Sequence, residues 1–178
     1  GKRLLFRKAV ITDEISQDLE TAVKLAKKYN LEGVEIRSVW DTAPEDFNDE
    51  QINKINSVLM QNNLKTVSIS SSIFKCGLNE DQTEKINKTI SLAKKLGSKY
   101  IRCFSYWKDD RYNDDMFAKV LKGYEQLLMQ NDIIMLLEFD PSVNITNGRS
   151  AARVLKKVNS PFIQAIWDPG NDIYEPLN

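Results

Sequence analysis

Two carboxylates come directly after apolar runs in the C-terminal part of the sequence. Glu138 follows the run 133–137, and Asp168 follows the run 165–167 about thirty residues later. Short apolar runs of this kind are typical of buried strands. The carboxyl ends of parallel strands meet at the same edge of a sheet. Two carboxylates at such an edge could hold a divalent cation.

Other charged residues lie within or just after apolar stretches. Glu35 alternates with apolar neighbours, which favours an inward-facing side chain. Arg102 lies inside a further apolar run, and an inward-facing arginine needs a carboxylate or another anion beside it. Glu138 could therefore form a salt bridge with Arg102 rather than bind a metal, and Asp168 could instead cap a turn. Lys75 could bind an anionic group or lie exposed in a loop.

The sequence contains no histidine, which restricts the chemistry that these residues can perform. Ser-His-Asp and Cys-His catalysis are excluded within this sequence, and so is a histidine-ligated zinc site. A set of oxygen ligands suits Mg²⁺ or Mn²⁺ better than zinc. Such a cation could polarise a carbonyl and stabilise an enediolate, as aldose–ketose interconversion or epimerisation requires. A nearby carboxylate or lysine would then move the proton.

Length and composition are those of an ordinary globular protein. The 178 residues fit a single domain over residues 1–178 with a substantial core. The 25 basic and 25 acidic residues balance, so we expect no nucleic-acid partner. No apolar run reaches membrane-spanning length, so we expect no membrane partner either. Cys76 and Cys103 lack CxxC spacing, and we expect reduced thiols in a cytoplasmic protein.

Apolar periodicity predicts strands that alternate with helices along the whole sequence. The predicted strands are 9–12, 33–37, 65–70, 100–104, 133–137 and 162–167. The predicted helices are 18–29, 48–61, 80–96, 114–130 and 149–158. After the first strand, the strand ends recur about every thirty residues, which is typical of βα units with right-handed crossovers.

Two α/β folds have this pattern: a (β/α)8 barrel of the TIM type and an open doubly wound sheet. A full barrel needs roughly 250 residues, so this sequence would supply about six βα units of an incomplete barrel whose C-terminal units are missing. No glycine-rich nucleotide fingerprint follows a predicted strand. Both folds bind ligands at the carboxyl ends of their strands, so the predicted site location is the same in either case.

In the order and spacing of several stretches, the sequence resembles the sugar phosphate isomerase/epimerase family. These xylose isomerase-like TIM barrels also include relatives of endonuclease IV. The matching stretches are 12–16, 31–37, 72–75, 100–104, 137–138 and 167–171. In that family, the glutamate ending the fifth strand and the aspartate ending the sixth ligate a divalent metal. The resemblance therefore implies Glu138 and Asp168 as ligands, and it implies further ligands, a histidine and a glutamate, beyond Asn178.

The resemblance implies an isomerase or epimerase that acts on a small sugar or sugar phosphate by metal-assisted proton transfer. We expect Glu138, Glu35 and Lys75 to be catalytic, and Glu14, Arg102 and Asn171 to bind substrate. One alternative is a lyase of the same fold, such as a dehydratase of a cyclic hydroxy acid. Another is an inactive, truncated barrel that associates with itself or with a partner to cover its open wall. An endonuclease is less well supported, because that chemistry uses a histidine-rich zinc site.

Overall fold

A computed structural model describes residues 3–4, 9–12, 16–166 and 173–174. The predicted site residues Glu14, Asp168 and Asn171 lie outside the described residues. The strands are β1 (Arg3–Leu4), β2 (Ala9–Ile11), β3 (Gly33–Ile36), β4 (Lys65–Ile73), β5 (Tyr100–Cys103), β6 (Ile134–Leu137), β7 (Ile163–Ala165) and β8 (Ile173–Tyr174). The helices are α1 (Leu19–Lys28), α2 (Asp49–Gln61), α3 (Thr83–Leu96), α4 (Asp114–Lys122), α5 (Glu125–Asn131) and α6 (Gly148–Val158).

Strands β2 to β7 are hydrogen-bonded neighbours in their chain order. The pairs β2/β3, β3/β4 and β6/β7 are parallel, with helices in the connections between successive strands. Strands β1 and β8 form a separate antiparallel pair. The alternating parallel α/β pattern predicted from the sequence is thus confirmed. No helix of the described residues is long and apolar enough to cross a membrane.

The chain divides into two compact units. Unit 1 comprises Gly1–Leu5, Ser72–Glu84 and Arg102–Asn178, and unit 2 comprises Phe6–Ser71 and Lys85–Ile101. The prediction of one domain over residues 1–178 stays a prediction.

In unit 2, helix starts are fixed by side-chain caps. Asp18 accepts a hydrogen bond from the N–H of Thr21 at 3.0 Å, which satisfies a free backbone donor at the start of α1. Asn48 and Gln51 form a reciprocal capping box at the start of α2. The buried apolar side chains of α1, α2 and β3 include Leu19, Val23, Ile52, Ile55, Leu59, Val34 and Ile36.

In unit 1, two exposed ion pairs link helices α4 and α6. Arg153 Nε lies 3.3 Å from Asp114 Oδ2, and Lys157 Nζ lies 2.8 Å from Asp115 Oδ1. Beneath them, an aromatic cluster fills the core. Its members, Phe74, Tyr106 and Phe117, pack edge to face with ring centroids 5.2 to 5.5 Å apart.

Two predicted elements differ in extent from the observed ones. The predicted helix 114–130 is divided into α4 and α5 by Gly123 and Tyr124. The Tyr124 N–H donates to the carbonyl of Leu121, three residues back, which tightens the chain where glycine already weakens the helix. The predicted strand 65–70 continues as β4 to Ile73. Its last residues include serines, whose weak strand propensity hid the extension from the sequence.

Candidate functional site

Glu138 comes directly after β6, and its backbone N–H is still hydrogen-bonded to β5. Its N–H donates to the carbonyl of Cys103 at 2.9 Å. Arg102 of β5 is only 5% exposed, and its Nη1 donates to Glu138 Oε2 at 3.2 Å. The Glu138 side chain is nevertheless 31% exposed. The sequence predicted a carboxylate or another anion beside Arg102, and the structure shows a carboxylate there. Arg102 binds one oxygen of this carboxylate, and the Glu138 side chain remains accessible to solvent.

Cys103 follows Arg102 in β5 and is fully buried. Burial raises the pKa of its thiol, and the negative charge of Glu138 raises that pKa further. The thiol therefore stays protonated near neutral pH. A protonated, buried thiol is a poor nucleophile, so Cys103 contributes packing rather than covalent chemistry.

Lys75 forms a second charged contact at the strand ends of unit 1. Its Nζ lies 4.4 Å from the centroid of the Phe104 ring and 3.9 Å from Asp140 Oδ2. Asp140 Oδ1 accepts hydrogen bonds from the N–H and the hydroxyl of Ser142. These bonds lower the pKa of the Asp140 carboxyl, and the positive charge of Lys75 lowers it further. The ammonium is thus placed between an aromatic face and a carboxylate that is ionised at neutral pH.

An unusual backbone conformation directs Lys75 to this position. Phe74, the residue before it, has φ of 63°, in the left-handed region that bulky residues rarely adopt. Its N–H donates to Gln82 Oε1 at 3.1 Å, and its buried ring packs against Tyr106. Lys75 then closes a turn through its N–H to the carbonyl of Ser72 at 2.9 Å. The left-handed backbone at Phe74 sets the direction of the chain at Lys75. Its energetic cost is offset by the packing and hydrogen bonds of Phe74.

Asn144 ties the loop after β6 to the loop after β5. Its Nδ2 lies 2.7 Å from the carbonyl oxygen of Ser105 and 3.1 Å from those of Tyr106 and Trp107. Its Oδ1 accepts a hydrogen bond from the N–H of Asp109 at 3.0 Å. One amide side chain thus fixes the path of the chain that follows Phe104.

Glu35 belongs to unit 2, where it lies on β3 with 7% of its surface exposed. It pairs in register with Ser68 of β4. Residues in register on parallel neighbours point to the same face, so the carboxylate and the hydroxyl share a buried face. Ser68 is fully buried, and among the described residues its Oγ has no hydrogen-bond partner. A buried hydroxyl left without a partner is costly and often marks a functional surface.

The described residues of the predicted site are thus divided between the two units. Arg102 contacts Glu138, and Lys75 lies in the same unit beside Asp140, whereas Glu35 lies in unit 2. Within the part of the chain that the structure describes, no group of three or more cysteines, aspartates and glutamates could hold a metal ion. Glu138 offers the hard oxygen donor that Mg²⁺ and Mn²⁺ prefer. It therefore fits as one ligand of such a site without completing it.

Sequence reasoning missed Asn144 and the ring beneath Lys75. Asn144 donates hydrogen bonds to carbonyl oxygens that precede it by 37 to 39 residues, and no local sequence pattern predicts such contacts. The Asp140–Ser142 bond had a local signal, because aspartate two residues before serine with proline between them is typical of an Asx turn.

A family model for xylose isomerase-like TIM barrels matches residues 23–175. Several solved structures share the fold. The probable 3-DHS dehydratase AsbF of Bacillus anthracis has a TM-score of 0.72 at 19% identity, covering 88% of this chain and 61% of that chain. The IolI protein with a bound zinc atom has a TM-score of 0.68 at 18% identity, covering 89% of this chain and 61% of that one.

A D-psicose 3-epimerase solved in the presence of D-fructose has a TM-score of 0.68 at 13% identity, covering 89% of this chain and 62% of that chain. The chain thus spans about three fifths of the length of these structures. No curated protein sequence matches this one. The described strands and helices are those of an incomplete TIM barrel, as the sequence predicted. Because the family model covers most of the sequence, the chain belongs to the xylose isomerase-like TIM barrel family.

Proposed function

We propose that this chain carries the proton-transfer site of a metal-assisted isomerase or epimerase acting on a small sugar or sugar phosphate. One observation carries the proposal: Glu138 lies at the carboxyl end of β6, where Arg102 holds one oxygen while the side chain stays open to solvent. Ligands of TIM barrels bind at this end of the strands. The fold shared with a D-psicose 3-epimerase gives further support.

Glu138 and Asp168 would hold the cation, with Asp168 contributed from outside the described residues. Both offer carboxylate oxygens, so Mn²⁺ or Mg²⁺ is the proposed ion. When bound, the cation supplies a Lewis acid that polarises a carbonyl or hydroxyl oxygen of the sugar. Because the related IolI structure contains zinc, zinc belongs in the same test.

Proton movement is assigned to Lys75 and Glu35, with Glu138 as a further candidate base. The Lys75 ammonium is held by Phe104 and Asp140, and it would donate a proton to a substrate oxygen or hold an anionic group there. The Glu35 carboxylate would accept a carbon-bound proton. Glu14 and Asn171 would orient the substrate from outside the described residues, and Arg102, which is buried against Glu138, would orient it through that carboxylate.

Solvent exchange tests this proposal without knowledge of the product. The purified chain is incubated in D₂O with a panel of aldoses, ketoses and their phosphates, each with Mn²⁺, Mg²⁺, Zn²⁺ or EDTA. Nuclear magnetic resonance then follows deuterium entering the carbon next to the carbonyl. We expect metal-dependent exchange that Glu138→Gln abolishes and Lys75→Met lowers by about 100-fold.

The matched control is Lys156→Met, which removes an exposed lysine of α6 and should leave exchange unchanged. Folding of each variant is checked by circular dichroism. Absence of exchange from the folded chain across all sugars and all three metals would refute the proposal. Exchange that survives Glu138→Gln would instead refute the assignment of that residue.

A dehydratase is the second candidate, favoured by the fold shared with the probable 3-DHS dehydratase. The first step is the same abstraction of a carbon-bound proton. The carbon–oxygen bond of a β-hydroxyl then breaks, the hydroxyl leaves as water with an added proton, and a carbon–carbon double bond forms. Ultraviolet absorbance of that double bond, absent from an isomerase reaction, distinguishes the two activities in the same samples.

A further inference from the structure

The ion pair between Arg102 and Glu138 is asymmetric. The arginine side chain is 6% exposed, whereas the glutamate side chain is 31% exposed. Nη1 of Arg102 meets Oε2 of Glu138, and the N–H of Glu138 is fixed on the carbonyl of Cys103. One carboxylate oxygen is therefore committed to a buried cation, and the backbone limits how the side chain can turn away.

A second cation on the same carboxylate would be repelled by the guanidinium. Burial of Arg102 reduces the screening of that repulsion by solvent ions. Arg102 therefore has two effects on any metal ion at Glu138. It presents the carboxylate in one orientation, and it weakens the attraction of that carboxylate for positive charge.

We infer that Arg102 is a positioning residue that fixes the Glu138 carboxylate and holds its affinity for divalent cations low. This inference rests on the proposed function, because it concerns a metal ion at Glu138. A cation held in this way exchanges with solvent instead of remaining permanently bound.

Titration of the full chain with Mn²⁺, followed by calorimetry and by the paramagnetic relaxation of water protons, tests the inference without any substrate. Arg102→Met removes the charge and keeps much of the apolar stem, and we expect it to bind Mn²⁺ about tenfold more tightly than the parent chain. Arg102→Lys keeps the charge, and we expect the parent affinity. Arg102→Gln is a second neutral variant, with a polar side chain, in case the methionine variant does not fold.

Arg153→Met is the matched control, because Arg153 also pairs with a carboxylate but lies on the exposed face of α6. Its Mn²⁺ affinity should equal that of the parent chain. Unchanged or weaker binding by the folded neutral variants, with binding still lost in Glu138→Gln, would overturn the inference and leave the proposed metal ligand intact. Equal binding by the parent chain and Glu138→Gln, or no binding by any variant, would remove both the metal assignment and the inference.

Discussion

Lys75 and Phe104 form a cation–π contact, with the ammonium nitrogen 4.4 Å from the ring centroid. Phe104 is buried, and Asn144 Nδ2 donates to the carbonyl of Ser105, the next residue. Asp140 faces the same ammonium. A flexible lysine is thereby restricted to one part of the strand ends, as its proposed role in proton transfer requires.

A double-mutant cycle between Lys75→Met and Phe104→Leu should give a coupling energy of about 0.5–1 kcal/mol in the free energy of unfolding, because the ammonium is partly exposed. Urea denaturation of the parent chain, both single variants and the double variant provides the measurement. Lys156→Met combined with Phe104→Leu is the control and should show no coupling. If the first pair shows none either, the contact does not hold Lys75 in solution.

Removal of the Glu138 carboxylate should destabilise the chain, because Arg102 is buried beside it. We expect Glu138→Ala to lower the free energy of unfolding by about 1–2 kcal/mol, less than for a fully buried pair since Glu138 is partly exposed. Glu138→Gln keeps an acceptor oxygen and should cost less. The control, Asp115→Ala, breaks an exposed pair with Lys157 and should cost about 0–1 kcal/mol. Equal losses in Glu138→Ala and Asp115→Ala would contradict the buried role of Arg102.

The succession of strands and helices was predictable because each element carries its own periodicity. Asp18, Asn48 and Asn147 are residue types that commonly cap helices, so these helix starts have a local sequence signal. Every described helix lies close to its predicted range, except where Gly123 and Tyr124 divide one helix in two. All four residues of β3 are buried, Glu35 among them, so the inward orientation expected from alternation stays a prediction.

The contacts at the strand ends were less predictable, because they join residues far apart in the sequence. Arg102 needed an anion, and Glu138 was one candidate, but their hydrogen bond spans 36 residues. Neither the left-handed backbone at Phe74 nor the ring beneath Lys75 has a local signal, since glycine or asparagine is the usual residue at positive φ.

Loss of the Asn144 amide should loosen the loop after β5. We expect Asn144→Ala to lower the free energy of unfolding by about 1–3 kcal/mol, since carbonyl oxygens lose their donor. Amide hydrogen exchange at Asp109 should accelerate, because its acceptor is Asn144 Oδ1. Asn144→Asp keeps that acceptor but places a carboxylate against three carbonyl oxygens, so it should be the less stable variant while Asp109 stays protected.

The control for Asn144 is Asn56→Ala, which removes a single exposed hydrogen bond to the carbonyl of Lys95. That change should cost about 0.5–1.5 kcal/mol at most. A more stable Asn144→Asp than Asn144→Ala would show that the amide nitrogen does not face the carbonyl oxygens as described.

Acid sensitivity should include a contribution from Asp109. Hydrogen bonds from the Arg111 side chain and backbone lower the pKa of Asp109 from 3.8 to about 2. A lowered pKa in the folded state stabilises the fold above the unfolded pKa, and this contribution is lost as the pH falls from about 4 to about 2. Arg111→Met should move the Asp109 pKa upward, as measured by carbon-13 titration of its carboxyl. An unmoved pKa would contradict the bidentate contact.

Ser68 has a consequence for any attempt to evolve this protein in the laboratory. Its fully buried hydroxyl has no hydrogen-bond partner in the part of the chain that the structure describes, so Ser68→Ala should be neutral or stabilising. A library of β4 variants selected for heat resistance should therefore drift towards alanine at this position. Selection for turnover should keep the hydroxyl if the face shared with Glu35 meets substrate. The residue that each selection retains would reveal whether this part of the strand serves folding or chemistry.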